Sequence, residues 1–294
     1  MRNINEDTIT QAVLASMDGC RDERLRTVMT SLVQHLHAFA RDVKLTEGEW
    51  FKAIQFLTDV GHITDDKRQE FVLLSDTLGL SMLVTTQNNR KPAVCTAATV
   101  LGPFFVEGAP DYENGADLSN GAAGAPCFVQ GRVTGVNGES IAGASIDVWQ
   151  SDEDGFYDVQ KTSETVGEMV HSARGTLRTQ ADGGFCFRSI LAEAYPIPHD
   201  GPVGRMLEGL GRHPWRPAHL HFWIKAPGYE TLITHVFRDG DQYLDSDAVF
   251  GVRSSLIVEW VKHEPGIAPD GSSMSTPFYK LEYNFVLNPV EEAA

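Results

Sequence analysis

Two histidines separated by one residue, His219 and His221, form the sharpest chemical signal in the sequence. On a β-strand, side chains two residues apart point to the same face and are spaced about 7 Å along the chain. Two imidazoles in that arrangement can both reach one metal ion at about 2 Å. Spacing alone also fits a pair of packed or surface histidines, which is the commoner meaning of an isolated His-x-His pair.

A second pair with the same spacing, His35 and His37, lies in a stretch with helical periodicity. Residues two apart on a helix lie on nearly opposite sides, so they cannot readily share a metal ion. We interpret this second pair as structural or facing solvent.

Two tyrosines, Tyr157 and Tyr195, each follow a predicted strand and are candidates for further metal ligands. Taken singly, a tyrosine in such a position is more often a packed aromatic ring with a satisfied hydroxyl group. Sequence spacing does not show whether either tyrosine converges with the two histidines.

The elements that must position these side chains differ along the chain. Up to about residue 85, apolar residues recur at steps of three and four, which predicts helices with one apolar face. Thr46 followed by Glu49 is typical of a capping box at the start of a helix. The apolar positions of the longest stretch are Leu25, Val28, Met29, Leu32, Leu36 and Phe39.

After about residue 90, glycine and proline become frequent and short apolar or alternating runs follow one another, which is typical of a β-sandwich. Val136-Asn137-Gly138 predicts a tight turn. We therefore expect an α+β protein, with a helical region at 1–95 followed by an antiparallel β-sandwich domain at 96–294. The predicted strands are 128–133, 145–149, 184–187, 219–224, 232–237, 255–260 and 281–286.

Composition excludes several classes of protein. The 294 residues include 24 Lys and Arg against 40 Asp and Glu, a net charge of −16, which disfavours nucleic acid and anionic membranes as partners. No apolar run has the length of a membrane span or the form of a signal peptide. The four cysteines are far apart, as expected of free thiols in a reducing cytoplasm.

Tyr157, Tyr195, His219 and His221, in this order and context, resemble the ligand set of the intradiol ring-cleavage dioxygenases. The resemblance covers nearly the whole chain, including Gly-Pro-Phe-Phe at 102–105 and the long stretch from Gly211 to His221. It implies one Fe(III) per subunit, bound by these four side chains. Phenolate and imidazole donors suit a trivalent iron.

The same resemblance implies roles for three catalytic residues. Tyr195 is expected to leave the metal when substrate binds and to take a substrate proton as general base. Arg216 is expected beside the reacting carbon, where its charge stabilises developing negative charge. His235 stands where catechol-cleaving relatives usually carry glutamine, and we expect it to support the site through a hydrogen bond.

Within the family the chain is most similar to members that cleave hydroxyquinol (benzene-1,2,4-triol) to 3-hydroxy-cis,cis-muconate, a tautomer of maleylacetate. The carboxylate of Asp76 can accept a hydrogen bond from the third ring hydroxyl. The alternative, nearly as well supported by the sequence, is that Asp76 only caps a helix or lies on its surface. Catechol, giving cis,cis-muconate, is the alternative substrate. The resemblance implies a substrate pocket lined by Leu73, Asp76, Val100, Leu101, Gly102, Pro103, Phe104, Ile197, Pro198, Arg216 and Val249.

The expected partners are the aromatic substrate and O₂, and a second copy of the chain bound through the N-terminal helices. The resemblance also implies a phospholipid at the interface of that homodimer. Two other classes of protein fit part of the sequence. A transthyretin-like binding sandwich explains the strands, and a zinc hydrolase explains His219 and His221 but lacks an evident third ligand and a glutamate base.

Overall fold

The computed structural model describes residues 2–65, 68–161 and 171–290. By compactness the chain divides into two units, Met1–His62 and Ile63–Ala294. Within the described part of the chain, no helix is long and apolar enough to cross a membrane. The domain boundary expected at residues 95 and 96 rests on composition and stays a prediction.

The first unit is helical, with α1 at Ile9–Ala15, α2 at Glu23–Asp42 and α3 at Glu47–Ile63. Asp22 caps α2, because its carboxylate accepts a hydrogen bond from the amide of Leu25 at 2.9 Å. The capping box predicted before α3 is confirmed: the amide of Thr46 donates to Glu49 Oε2 at 2.9 Å, and the amide of Glu49 donates to Thr46 Oγ1 at 3.3 Å.

The predicted apolar face of α2 lies on the surface. No residue of α2 is buried. Leu25, Val28, Met29, Leu32, Leu36 and Phe39 all have more than a third of their surface exposed. A stripe of this size at helical spacing is typical of a surface that another molecule covers.

The second unit combines short helices with two main β-sheets. Its helices are α4 at Glu70–Thr77, α5 at Leu80–Asn88 and α6 at Pro202–Gly209. The strands are β1 at Pro126–Gly135, β2 at Ser145–Gln150, β3 at Arg174–Arg178, β4 at Gly184–Ile190, β5 at Tyr195–Pro196, β6 at Trp215–Arg216, β7 at His219–Lys225, β8 at Leu232–Arg238, β9 at Ile257–Val258, β10 at Val261–His263, β11 at Gly266–Ile267, β12 at Ser273–Met274, β13 at Phe278–Glu282 and β14 at Phe285–Leu287.

One main sheet has the strand order β3-β2-β7-β8-β9, and the other runs β10-β13-β1-β14 with β4 also paired to β1. Most pairs are antiparallel, but β1–β13, β1–β14 and β8–β9 are parallel. Side chains of both sheets form one buried apolar cluster, for example Val129 and Phe185 from one sheet with Val148 and Phe222 from the other. The α+β fold predicted from the sequence is therefore confirmed.

Two predicted strands differ in detail. The run 255–260 begins as a 3-10 turn, and only Ile257–Val258 pairs as a strand. The run 281–286 is divided between β13 and β14. Both differences arise where a chain breaks its pairing over one or two residues, which apolar periodicity does not reveal.

Candidate active site

Strand β7 carries the two histidines of the His-x-His pair on one face, as its two-residue alternation requires. His219 and His221 are each 1% exposed. The neighbouring strand β8 places His235 directly opposite His221. One ring nitrogen from each of these three histidines lies within 4.8 Å of the others.

The first tyrosine reaches this face from a loop after β2. The amide of Tyr157 donates to Gln160 Oε1 at 2.9 Å, and the next residue, Asp158, accepts from the buried Arg174 at 2.6 Å. Gly155 permits the turn, because its φ is +81° and a Cβ there would lie 3.1 Å from the Cβ of Tyr195. These contacts fix the backbone around the Tyr157 ring.

The second tyrosine lies in the short strand β5, which pairs with β6 so that Tyr195 is opposite Arg216. The Tyr195 and Tyr157 rings are 5.2 Å apart and nearly perpendicular. Arg216 Nη1 lies 3.4 Å from the Tyr195 hydroxyl and 3.3 Å from His219 Nε2. Both tyrosines therefore converge with the histidine pair, which sequence spacing alone does not show.

The donor atoms fit a single metal ion. The Tyr157 hydroxyl lies 3.0 Å from His221 Nε2 and 3.5 Å from His219 Nε2, and the two Nε2 atoms are 3.1 Å apart. Ligand atoms about 2 Å from one ion, at angles of roughly 90 to 120°, are about 3 to 3.5 Å apart. The spacing is thus that of ligands to a common ion.

Hydrogen bonding fixes which nitrogen of His219 faces the cluster. Its Nδ1 lies 2.7 Å from the carbonyl oxygen of Pro217, which can only accept, so Nδ1 carries the proton and Nε2 is free to bind a metal. His221 is held differently. Its ring stacks on Trp149 with centroids 4.6 Å apart, and its Nδ1 is buried without a hydrogen-bond partner among the described residues.

Burial keeps the imidazoles neutral. Desolvation, followed by the charge of Arg216, lowers the pKa of His219 to about 3. Desolvation and the neighbouring histidines lower the pKa of His221 well below its ordinary value. Without a metal ion, desolvation and the neighbouring Tyr195 raise the pKa of Tyr157 well above its ordinary value of 10.0. Neutral imidazoles are ready to bind a metal, whereas Tyr157 must release its proton to do so.

A carboxylate that sequence inspection missed holds Arg216. Asp247 Oδ1 accepts from Arg216 Nε at 3.1 Å, and both side chains are 2% exposed. Burial disfavours the charged form of Asp247, but the charge and hydrogen bonds of Arg216 outweigh it and lower the pKa of Asp247. Asp247 lies 31 residues from Arg216 in a loop without a recognisable motif, so no local signal could identify it.

The pocket residues predicted from the sequence occupy several segments of the second unit. Phe104 stacks on Tyr157 with centroids 4.5 Å apart and lies 6.2 Å from the Tyr195 ring. Gly102 has a φ of +77°, and a Cβ there would lie 3.2 Å from His221 Cε1. Leu73, Asp76, Val100, Ile197 and Val249 are buried, Leu101 and Pro198 are half-buried, and Pro103 is exposed.

Asp76 lies near the end of α4 and is 5% exposed. Burial raises the pKa of Asp76, while Ser81 and the charge of Arg216 act against that rise. The charge of Arg216 thus acts on the carboxyl group of Asp76, so Asp76 lies within electrostatic range of Arg216.

The histidine pair on helix α2 takes no part in this site. His37 Nδ1 lies 2.9 Å from Thr10 Oγ1, and His35 Nδ1 lies 2.8 Å from the carbonyl oxygen of Ser31. Both belong to the first unit, and their contacts agree with the structural interpretation.

The sequence matches two family models, one described as "Dioxygenase" over residues 100–289 and one described as "Catechol dioxygenase N terminus" over residues 22–96. The chain belongs to the intradiol ring-cleavage dioxygenases, and it is an enzyme of that class. This membership sets aside the non-catalytic sandwich and the zinc hydrolase. The histidine cluster agrees with the dependence of the family on non-haem iron.

Individual relatives are similar over their full length. The chain is 57% identical to 6-chlorohydroxyquinol 1,2-dioxygenase of Cupriavidus pinatubonensis, covering 98% of this chain and 99% of the relative. It is 48% identical to hydroxyquinol 1,2-dioxygenase of Nocardioides simplex, and the match covers 97% of this chain and 96% of that relative. The crystal structure of hydroxyquinol 1,2-dioxygenase from Pseudomonas putida DLL-E4 superposes on this structure with a TM-score of 0.89 and 44% sequence identity. The match covers 97% of this chain and 99% of that chain.

Proposed function

We propose that this enzyme opens the ring of hydroxyquinol between its two adjacent hydroxyl groups, giving 3-hydroxy-cis,cis-muconate, which tautomerises to maleylacetate. The carbon–carbon bond between the two hydroxylated carbons breaks, and both atoms of O₂ enter the two new carboxyl groups. The observation that carries the proposal is the buried convergence of Tyr157, His219 and His221 at 3.0–3.5 Å beside Tyr195 and Arg216. Relatives named for hydroxyquinol and its 6-chloro derivative support the substrate.

Four side chains, Tyr157, Tyr195, His219 and His221, hold one Fe(III) per subunit in this proposal. When bound, Fe(III) supplies a Lewis acid that favours the deprotonated substrate and makes its ring reactive toward O₂. The donor set supports iron in this oxidation state, because phenolate oxygen and imidazole nitrogen are hard to borderline ligands.

Two residues of the site handle protons and charge. Tyr195, which would bind the iron as a phenolate, acts as the general base: its phenolate oxygen takes a proton from a substrate hydroxyl. That oxygen lies 3.4 Å from Arg216 Nη1. The guanidinium of Arg216 is fully buried and held by Asp247, so its charge is fixed in orientation before substrate binds. Arg216 therefore stabilises negative charge that develops on the opening ring.

His235 assists through a hydrogen bond. Its ring is completely buried and lies 4.7 Å from the His219 ring and 4.2 Å from the His221 ring, centroid to centroid. A donor at this position can stabilise a substrate oxygen without binding the metal.

The third hydroxyl of the substrate distinguishes hydroxyquinol from catechol, and Asp76 recognises it in this proposal. A buried carboxyl group requires a hydrogen-bond partner, and a substrate that lacks the third hydroxyl leaves part of that requirement unmet. The remaining pocket residues shape the cavity around the ring: Leu73, Val100, Leu101, Gly102, Pro103, Phe104, Ile197, Pro198 and Val249.

The enzyme acts as a homodimer through its N-terminal helices, and a phospholipid binds within the apolar interface. The exposed apolar face of α2 supports this assembly, because a monomer rarely leaves so many large apolar side chains in water. All four cysteines are free thiols, which fits a reducing compartment and supports a cytoplasmic location.

Oxygen uptake by the purified, iron-loaded protein tests the substrate. Hydroxyquinol, 6-chlorohydroxyquinol and catechol are compared in parallel, with the metal-free protein as control. We expect kcat/KM for hydroxyquinol to exceed that for catechol by at least about tenfold, the effect of one lost hydrogen bond in a buried site. Preference for catechol would discard the role of Asp76 and keep the ring-opening chemistry, whereas no uptake with any ring would reject the proposed activity.

A further inference from the structure

One buried hydrogen bond links His235 to Thr99, in the irregular segment just before the proposed pocket residues Val100 to Phe104. His235 Nδ1 lies 3.0 Å from Thr99 Oγ1, and both residues are buried. The other ring nitrogen, Nε2, is buried without a hydrogen-bond partner among the residues that the structure describes. The ring of His235 contacts the rings of His219, His221 and Phe237. A neutral imidazole carries its proton on one of its two nitrogens, and the neighbouring groups determine which one.

The Thr99 hydroxyl determines which nitrogen of His235 carries the proton, because a buried hydroxyl hydrogen needs an acceptor. If Nδ1 of His235 carried the proton, it would donate to Thr99 Oγ1, and the Thr99 hydroxyl hydrogen would be buried without an acceptor in the described part of the chain. If the Thr99 hydroxyl donates instead, Nδ1 accepts and the proton of the neutral imidazole resides on Nε2. The amide of Thr99 donates to the carbonyl oxygen of Ile233 at 2.9 Å, which anchors the hydroxyl beside β8.

The tautomer matters because His235 lies among histidines that can bind a metal. One nitrogen from each of His219, His221 and His235 lies within 4.8 Å of the others, and three imidazoles are a common set of metal ligands. An imidazole nitrogen that carries a proton cannot bind a metal, whereas its N–H group can donate a hydrogen bond.

We propose that Thr99 is a positioning residue that donates to His235 Nδ1, places the proton on Nε2, and so makes His235 a hydrogen-bond donor to the reacting oxygen atoms instead of a third imidazole ligand. This inference rests on the proposed function for the identity of the reaction. It does not depend on that function for the tautomer itself. The unpaired Nε2–H group is then free to donate a hydrogen bond to an oxygen atom that gains negative charge during ring opening.

The test compares Thr99→Val, which keeps the shape and removes the hydroxyl, with Thr99→Ser, which keeps the hydroxyl. We expect Thr99→Val to lower kcat for hydroxyquinol about tenfold or more and to shift the visible absorption band of the iron-loaded protein, with iron content unchanged. Thr99→Ser is expected to restore both within about twofold. In a His235→Gln background, Thr99→Val is expected to change kcat less than about twofold, because the glutamine amide has no tautomer to fix.

Nitrogen-15 NMR of histidine in the full-length, metal-free protein reads the tautomer without any activity. We expect His235 to be protonated on Nε2 in the wild type, with the signal assigned by its loss in His235→Gln, and to move toward the Nδ1-protonated form in Thr99→Val. A wild-type protein protonated on Nδ1, or an unchanged tautomer, absorption band and kcat in Thr99→Val, overturns the proposal. An equal loss of kcat in the His235→Gln background also overturns it. Failure of the wild type to cleave any ring rejects the proposed function separately.

Discussion

Charge at the site is set by a few buried side chains, and the Arg216–Asp247 pair is central among them. A buried ion pair contributes little net stability when intact, but removing one partner leaves the other charge buried and uncompensated. Arg216 in turn contacts Tyr195 and His219, so the orientation of its guanidinium affects both a proposed base and a proposed ligand. In the proposed reaction, Asp247 therefore acts through its hold on Arg216.

Replacing Asp247 with asparagine is expected to lower the free energy of unfolding by about 3–5 kcal/mol, the cost of a buried unpaired guanidinium. It is also expected to lower kcat, because Arg216 loses its fixed orientation. Urea denaturation and steady-state kinetics measure the two effects. Asp245→Asn, an exposed position two residues earlier, is the matched control and should change neither. An Asp247→Asn protein as stable as the wild type would show that the pair does not hold Arg216.

The stabilisation by Asp247 should also depend on pH. Its pKa is lower in the folded protein than the ordinary value of 3.8, so the stabilisation is present above that value and is lost as pH falls through the lower folded value. The difference in unfolding free energy between wild type and Asp247→Asn should thus be constant above about pH 5 and shrink below about pH 4. A difference that grows on acidification would contradict this assignment.

Asp76 gives a prediction about substrate choice. Asp76→Asn keeps the size of the side chain but removes the carboxylate, so kcat/KM should fall about tenfold for hydroxyquinol and change little for catechol. Catechol serves as the internal control in the same oxygen-uptake assay. Equal losses for both rings would mean that Asp76 acts on the general structure of the site and not on the third hydroxyl.

Among the elements of the second unit, Arg212 links two segments that carry residues of the proposed pocket. Arg212 Nη1 donates to the carbonyl oxygen of Thr77 at 2.6 Å, and its Nη2 donates to that of Ala248 at 3.0 Å. Thr77 ends helix α4, which carries Leu73 and Asp76, and Ala248 precedes Val249. The guanidinium of Arg212 thus links two segments that the proposed pocket requires.

Replacing Arg212 with lysine is expected to raise KM for hydroxyquinol about three- to tenfold with a smaller change in kcat, because lysine cannot donate to two carbonyl groups in this forked geometry. The proposed iron ligands are untouched, so the visible absorption of the iron-loaded protein should stay the same. Arg178→Lys, at an exposed position at the end of β3, is the control. A loss of iron binding in Arg212→Lys would contradict a role confined to the pocket.

Local patterns predicted the elements better than the contacts between them. The alternation of β7 placed His219 and His221 on one face, and the capping box of Thr46 and Glu49 involves residues only three apart. The contact of Thr99 with His235 joins residues 136 apart, so no sequence window contains it. Resemblance to a family supplied Tyr157 and Tyr195, which spacing alone left open.

At the scale of the whole molecule, the N-terminal unit presents the apolar face of α2, and the proposed site lies entirely in the second unit. Leu32 lies on this apolar face, which forms the interface of the proposed homodimer. Leu32→Glu should convert the homodimer into a monomer of about 32 kDa, because a buried, unpaired charge at an apolar interface is strongly unfavourable. Light scattering after size-exclusion chromatography measures the mass. Gln34→Glu adds the same charge to another side of α2 and should leave the dimer intact. Monomeric wild-type protein would contradict the proposed interface.

The proposed reaction opens the ring of hydroxyquinol between its adjacent hydroxyls and incorporates both atoms of O₂. Mass spectrometry of the product formed under ¹⁸O₂ tests this reaction most directly, with the metal-free protein as control. We predict an acyclic diacid in which each new carboxyl group carries one ¹⁸O atom. A product with one ¹⁸O atom or none, or a ring opened beside the two hydroxyls instead of between them, would contradict the proposed reaction.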